Sequence, residues 1–482
     1  MTAPTAPTAP TALTALTEIQ EAVGLARPAA AWWAALGAPE RRRRLLTWNG
    51  TIARRLDELA EVVRSETGKP IDDARLEVAL ALGHVGWAAR NARRVLRRRR
   101  VASGLATLDQ AASVEYLPLG VVGVIGPWNH PVFTPLGAIA HALAAGNAVL
   151  FKPSQYTPAV ADWLLQSFRA AVPEQPVLQI VGGDGAAGAA LCASGVDKIA
   201  FTGSTATAKK VMAQCASTLT PLVAECGGKD TVIVAADADL DEAAQAVVWG
   251  AMNHSGQNCV GIERALVEDP VYDGFLARVT AVAGSLRAGG EREAHYGPVI
   301  VPAQLEVISR HVREAVEAGG TAVVGGPESV RPPYVDPVVL TDVPDTCAAA
   351  REETFGPVLV VGRVRDLDEA VDRANATGYG LGASVFTRDR RTAARVARRL
   401  RVGAVAVNSV ITFAAVPSLP FGGTGDSGFG RVHGADGLRE FSRPHAIARR
   451  RFRSPLRLLS FARSRRDMEV SLRLTRLLHG RS

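Results

Sequence analysis

Ser255-Gly256-Gln257-Asn258-Cys259 sets a cysteine at the end of a short polar loop, just after a segment from Asp241 to Met252 that reads as a helix. Glycine lets neighbouring backbone approach closely, and the polar company suggests an exposed seat for the sulfur. Those are the conditions for a nucleophilic thiolate, whose reactivity follows ionisation and access. A buried, reduced cysteine is the alternative that the pentapeptide alone leaves open. Four other stretches bear on the choice. Pro127-Trp128-Asn129 follows a strand ending at Ile125, and Lys152-Pro153-Ser154-Gln155 follows one ending at Phe151. Phe201-Thr202-Gly203-Ser204 follows a strand and opens a helix, whose first amides point at any anion there. Glu225-Cys226-Gly227-Gly228-Lys229 places a carboxylate between two αβ runs. Three of the four lie at carboxyl ends of strands, where parallel sheets bind ligands, and the fourth lies at the domain junction. A cleft fed by both halves is implied.

The pattern Gly-x-Gly-x-x-Gly occurs at Gly183–Gly188 and at Gly423–Gly428. Only the first follows a strand and opens a helix, as a dinucleotide fingerprint should, so Gly185 is a candidate cofactor contact.

The elements that must hold these residues alternate. Val114 to Ile125 reads as strand, as do Ala148–Phe151, Val177–Val181 and Lys198–Phe201, with helices expected over 157–171, 185–194 and 204–217. A second run starts at Thr231–Val234, with Asp239 as N-cap of the next helix. It continues through helices near 270–285 and 303–318 to strands at Val358–Val361 and Val405–Val407. Alternation of this kind predicts an α/β protein with two doubly wound parallel-sheet domains. Before it, Glu18 to Arg100 has helical spacing. The clusters Arg41–Arg44 and Arg97–Arg100 read as solvated helix faces and ends.

Composition excludes several classes. Five cysteines (192, 215, 226, 259, 347) without CxxC spacing argue for a reducing compartment and against a disulfide framework or a zinc site. No apolar run approaches the ~18 residues of a membrane span, and no signal segment opens the chain, so a cytoplasmic protein is expected. The net charge of +8 is concentrated at one end, because Arg443 to Ser482 has 12 arginines against 2 acidic residues. The body therefore offers no electrostatic nucleic-acid surface. Lysine occurs at only six positions (69, 152, 198, 209, 210, 229), which marks each as a place that needs a compact ammonium.

From about residue 20 to 445 the chain resembles the aldehyde dehydrogenase superfamily. Pro127-Trp128-Asn129, Phe201–Ser204, Glu225–Lys229, Gly256–Cys259 and Glu352-Glu353-Thr354-Phe355-Gly356-Pro357 stand in that family's order and approximate spacing. The resemblance implies that Cys259 attacks an aldehyde, that the Asn129 amide and the Cys259 N–H hold the oxyanion, and that Glu225 activates water on the resulting thioester. It implies cofactor contacts at Trp128, Lys152, Ser154, Gln155, Gly203, Ser204, Glu353 and Phe355. Lys152 would meet the adenine-side ribose, Ser204 the pyrophosphate and Glu353 the nicotinamide ribose. Read singly, Asn129 could cap a turn before Pro131, Glu225 could be a surface carboxylate, and Glu353 could bound a strand. His130 and His254 flank the centre as expected pocket lining, and Cys226 stands as a small buried filler. Gln155 replaces the glutamate usual in NAD-preferring members, so NAD or NADP is expected. Thr134 and Gly137 replace bulkier residues and suggest a roomy pocket. An acyl-CoA-forming enzyme, which needs no base at Glu225, and a silent scaffold of the same fold are the rival functions.

The implied organisation is a disordered tail (1–17), helices plus a dinucleotide-binding domain (18–226) with bridging strands near 113–122, and a catalytic domain (227–410). A return to the first domain with a bridging strand (411–448) and a basic amphipathic tail (449–482) complete it. A homo-oligomer joined near Val114 is expected. In the tail Val470, Leu474, Leu477 and Leu478 share one helical face with Arg473 and Arg476 off it, a pattern suited to peripheral contact with an anionic membrane, to a partner, or to the chain's own body.

Overall fold

Val121–Ile125 and Ala148–Lys152 are buried at every position and Lys198–Thr202 at all but its last. Near-continuous apolar strands of this kind belong to a parallel sheet covered on both faces. The computed structural model, which describes residues 12–104, 107–291, 293–454 and 456–480, shows that sheet. Its order is Gly428–Phe429, Leu222–Glu225, Lys198–Thr202, Val121–Ile125, Ala148–Lys152, Leu178–Ile180, parallel except for the first strand. The second sheet has seven strands in the order Thr321–Val324, Val338–Thr341, Val358–Val364, Ile262–Glu268, Asp230–Val234, Gly382–Phe386, Ala404–Val407, and again only the first is antiparallel. The expected pair of doubly wound sheets is present.

A third, antiparallel sheet joins Arg99–Val101, Gln110–Pro118 and Ser442–Arg450. It corrects the reading of Val114 to Ile125 as one strand. The chain turns at Leu119-Gly120, whose two N–H groups donate to Asn147 Oδ1 at 2.7 and 3.0 Å. Gln110–Pro118 therefore bridges, while Val121–Ile125 enters the parallel sheet, and the bridging strands do not coincide with 113–122. The Arg97–Arg100 cluster likewise begins an edge strand.

Helices wrap the first sheet. Ile71–Leu96 buries Ala74, Val78, Ala81, Val85, Ala88 and Ala92, a three-to-four spacing that lays one face against the mostly apolar Phe133–Ala145. Trp48 is fully buried, with its Nε1 donating to Ser167 Oγ at 2.9 Å and its ring edge-on to Phe168 at 5.0 Å. Removing that side chain should cost ~3–5 kcal/mol.

Two ends differ from expectation. The first helix, Ala12–Ala35, starts inside the stretch expected to be disordered, because no proline follows Pro10 until Pro28 and Leu16 packs on the core. Residues 1–11 lie outside the described residues. At the other end the strand runs to Arg450, and the tail becomes helical only at Arg465–His479.

Candidate active site

Asp239 caps the helix Leu240–Met252, its Oδ1 accepting from Glu242 N at 3.2 Å. Beyond the helix the backbone turns left-handed at His254, Ser255 and Gly256 (φ 54, 57 and 69°). A Cβ on Gly256 would lie 2.1 Å from Gly356 O, so only glycine lets this loop rest on the Glu353–Gly356 loop. The other side chains before the cysteine are spent on the backbone. Ser255 Oγ donates to Gly297 O at 2.6 Å, Gln257 Nε2 to His254 O and Pro298 O at 3.0 and 3.1 Å, and Gln257 Oε1 accepts from Ile300 N at 2.8 Å. The exposed seat expected from its polar neighbours is not found, because those neighbours point away into the scaffold. Cys259 is half-buried on the wall of a cavity of about 130 Å³.

Glu225 ends its strand on the same cavity and is 4% exposed. It was expected only at a domain junction, yet it stands at a strand's carboxyl end, paired in register with Thr202. Burial lifts its pKa to about 7, against hydrogen bonds from Cys259 and Thr202. Its Oε1 has no partner among the described residues. Burial together with this carboxylate pushes the Cys259 thiol well above its ordinary range. Cys259 and Glu225 thus face one cavity, where burial favours the neutral form of both groups. Cys226, beside it, is buried and pushed up to about 12 by burial, which makes it inert filler.

Asn129 lies behind the wall, with its Nδ2 donating to Gln257 O at 2.8 Å, which uses one of two amide hydrogens. Its carbonyl accepts from Lys69 Nζ at 3.0 Å and is 2.9 Å from His254 Nε2. His130 and His254 both line the cavity, and His130 Nε2 bonds Asn258 Oδ1. Among the described residues the Cys259 N–H has no acceptor. Thr134 lines the cavity, but Gly137 does not. A Cβ there would fall 2.4 Å from His433 Nε2, so the missing side chain makes room for His433 rather than for substrate.

The expected cofactor residues sit along the ends of adjacent strands. Lys152 closes Ala148–Lys152, opposite Ile125; it is 6% exposed, donates to Pro153 O at 2.7 Å, and has its pKa lowered by burial. An ammonium so placed keeps hydrogens free for ligand hydroxyls. Ser154 follows half-buried, and Gln155 is exposed. Ser204 caps the helix Thr205–Ala216, accepting from Thr207 N at 3.3 Å, while the N–H groups of Thr205 and Ala206 have no acceptor among the described residues. That helix end suits a phosphate. Gly203 lays its backbone on the Phe201 ring, 2.8 Å from where a Cβ would stand. Gly185 opens the helix Gly185–Ala193, but the Asp184 carboxylate already accepts from Ala186 N at 2.9 Å, which makes this end the poorer anion site. On the other side Glu353 Oε1 accepts from Gly228 N at 3.0 Å, and burial raises its pKa to about 8. A Cβ on Gly227 would fall 2.0 Å from that oxygen. Phe355 meets Trp128 edge to face at 5.6 Å. An open helix N-terminus, a buried ammonium with spare donors and a carboxylate cradled on glycines together fit a dinucleotide.

Sequence reasoning missed the groups that hold these loops, namely the buried pairs Lys69–Glu77 and Lys229–Glu263. The lysine scarcity was a usable signal, since Lys69, Lys152, Lys198 and Lys229 are all 2–6% exposed.

Comparison with known proteins agrees with this geometry. The aldehyde dehydrogenase family matches residues 4–447, and the chain belongs to it. It is 37% identical over 439 residues to the 4,4'-diapolycopene aldehyde oxidase of a Methylomonas species, covering 91% of this chain and 82% of that one. It is 35% identical over 439 residues to a protein of Mycolicibacterium smegmatis provisionally named succinate-semialdehyde dehydrogenase (NADP+), covering 89% and 84%. The crystal structure of the NAD-dependent aldehyde dehydrogenase from Sinorhizobium meliloti superimposes with a TM-score of 0.87 at 33% identity, covering 92% of this chain and 89% of that one. The chain is thus an NAD(P)-dependent aldehyde dehydrogenase, which oxidises an aldehyde to a carboxylate through a cysteine-bound thioester.

Proposed function

We propose that Cys259 is the nucleophile, Glu225 the base and Asn129 an oxyanion donor. The observation that carries this is that Cys259 and the buried Glu225 line one cavity, near enough for each to shift the other's ionisation. As the sulfur bonds to the aldehyde carbon, the thiol proton leaves through the cavity to solvent. The oxyanion takes the unpartnered Cys259 N–H and the second Asn129 amide hydrogen, each worth ~3–4 kcal/mol in such sites. NAD(P), when bound, supplies the hydride acceptor. Glu225, ionised as pH passes about 7, then takes a proton from water. Hydroxide adds to the thioester carbon and the cysteine leaves as thiolate. Lys152, Ser154 and Gln155 would hold the adenine ribose, and Gly203 and Ser204 the pyrophosphate, with Gly185 at its margin. Glu353, Phe355 and Trp128 would hold the nicotinamide side. The exposed Gln155 leaves no carboxylate there to repel a 2′-phosphate, which supports use of NADP as well as NAD.

Cys259→Ala should end turnover with cofactor still bound. Glu225→Gln should give a burst of reduced cofactor followed by turnover slowed about 10²–10⁴-fold. Steady rates unchanged by Glu225→Gln would refute the hydrolytic assignment.

The domains divide near residues 226 and 410, and the edge strand Ser442–Arg450, exposed along most of its length, supports homo-oligomer pairing. Among the described residues no helix is long and apolar enough to cross a membrane. We assign the enzyme to the cytoplasm, at the surface of anionic membranes. Helix Arg465–His479 buries no residue, and Leu459 and Phe461 are fully exposed beside its arginines. Co-sedimentation with anionic liposomes tests this; equal binding by full-length and tail-less protein would end the idea. The names of the two relatives leave the substrate open between a polyene aldehyde and a carboxylate-bearing one.

A further inference from the structure

We infer that the substrate is an uncharged aldehyde, apolar beyond its carbonyl, and that the wall excludes aldehydes bearing a carboxylate; the inference rests on the proposed role of Cys259. Leu76, Leu80, Phe133, Trp249, Ile411 and Ala414 build much of the cavity wall. Leu76 and Trp249 are each 47% exposed, so the apolar surface continues to the mouth.

Charge on the wall decides the class. No arginine lines the cavity among the described residues. Its lysine, Lys69, is committed to Glu77 at 2.5 Å and to Asn129 O at 3.0 Å. Burial holds the lining histidines His254 and His433 neutral, and His130 is bonded to Asn258 and lies 3.5 Å from Glu77. Three carboxyl groups share the wall, Asp73, Glu77 and Glu225, against Lys69, already paired, and His130, which faces Glu77. A substrate carboxylate would enter without a partner, which is costly in an apolar site. An alkyl chain would gain about fourfold in binding per buried methylene.

The test uses full-length enzyme at saturating cofactor with butanal, decanal and succinic semialdehyde, the first and last being four-carbon aldehydes that differ by a carboxylate. Decanal should exceed butanal in kcat/KM by at least about tenfold, and succinic semialdehyde should fall about 100-fold or more below butanal. Succinic semialdehyde within about tenfold of butanal overturns the inference. Ala415→Arg, on the wall but outside the reacting groups, should raise the ratio of succinic semialdehyde to butanal by about tenfold or more. Trp249→Arg at the exposed rim serves if that variant does not fold. An unchanged ratio in a folded variant also overturns it. Turnover with reversed preference sinks this inference alone, whereas turnover that persists in Cys259→Ala sinks the Cys259 reading and this inference with it.

Discussion

Two buried ion pairs hold the two loops that touch the cysteine loop, and they are built alike. Lys69 bonds Glu77, whose Oε1 accepts from the backbone N–H of Val132 and Phe133 at 2.8 and 3.1 Å. Lys229 bonds Glu263, whose carboxylate accepts from the backbone N–H of Thr354 and Phe355 at 2.9 Å each. The lysine's second bond reaches a site loop in both cases, Lys69 to Asn129 O and Lys229 to Thr354 Oγ1 at 3.3 Å. What differs is the loop. The first pair holds the Asn129 turn and the start of the cavity helix; the second holds the turn that carries Glu353 and Phe355. Burial raises the Glu77 carboxyl, yet Lys69 and His130 together bring it well below the usual carboxylate range. Burial instead prevails at Lys229 and lowers its ammonium, despite Glu263. Buried pairs seldom stabilise more than apolar replacements would. Their shared pattern here indicates positioning, with one pair for the substrate side and one for the cofactor side.

Breaking either pair should give the largest effect. Glu77→Leu and Glu263→Leu each strand a buried ammonium and should lose ~3–5 kcal/mol of stability by denaturant titration. The Gln variants sort the two sides kinetically. Glu77→Gln should lower kcat with cofactor Kd unchanged, while Glu263→Gln should raise cofactor Kd by about tenfold. The same parameter moving in both would dissolve the division of labour.

Gly227→Ala sharpens the cofactor side alone. Its Cβ would fall 2.0 Å from Glu353 Oε1, so the carboxylate must swing away from the Gly228 N–H. An increase of about tenfold in cofactor KM should follow, with the Glu225→Gln burst retained in the double variant.

Between the two sides, Glu225 sets opposed pH dependences. Its carboxyl rises on folding from 4.5 to about 7. The stability this contributes is fully present below the unfolded value and is lost as pH climbs through about 7, the range in which the active base forms. kcat should therefore rise across that range as Tm falls. Glu225→Gln should flatten the rate profile and reduce the slope of Tm with pH. Glu353, raised to about 8, adds a second loss of stability at higher pH that this variant leaves in place.

The site was legible in sequence wherever a motif sat at the end of an apolar strand. Trp128–Asn129, Lys152–Gln155 and Gly203–Ser204 stand at the ends of Val121–Ile125, Ala148–Lys152 and Lys198–Thr202, whose near-continuous burial matches their largely apolar composition. Ile262–Glu268 was illegible because it carries Glu263 and Arg264, charges that read as surface yet are 5% and 7% exposed. Arg264 is buried on the carbonyls of Lys229, Arg373 and Ala374 at 3.3, 3.1 and 3.1 Å. Gly382–Phe386 opens with three small residues, which lack the apolar bulk that marks a buried strand in sequence. The supporting pairs escaped because their partners lie on different elements, Lys229 and Glu263 34 residues apart and Lys69 and Glu77 only 8. Periodicity reports which face a residue occupies, whereas a charge pair across two elements appears only once the chain has folded.

The smallest effect belongs to the tail, which stands outside both sides and serves as their control. Helix Arg465–His479 buries no residue. The cut must spare the bridging sheet, since Ser442–Arg450 pairs along Gln110–Pro118 and Arg451 N donates to Asp109 O at 2.7 Å. Truncation after Arg453 removes only residues whose burial contributes little. Tm should stay within about 2 °C and turnover of butanal within about twofold, while co-sedimentation with anionic liposomes is lost. A large fall in Tm would mean that the arginine-rich helix packs on its own chain in solution. The membrane assignment would then give way to a role for the tail in supporting the fold.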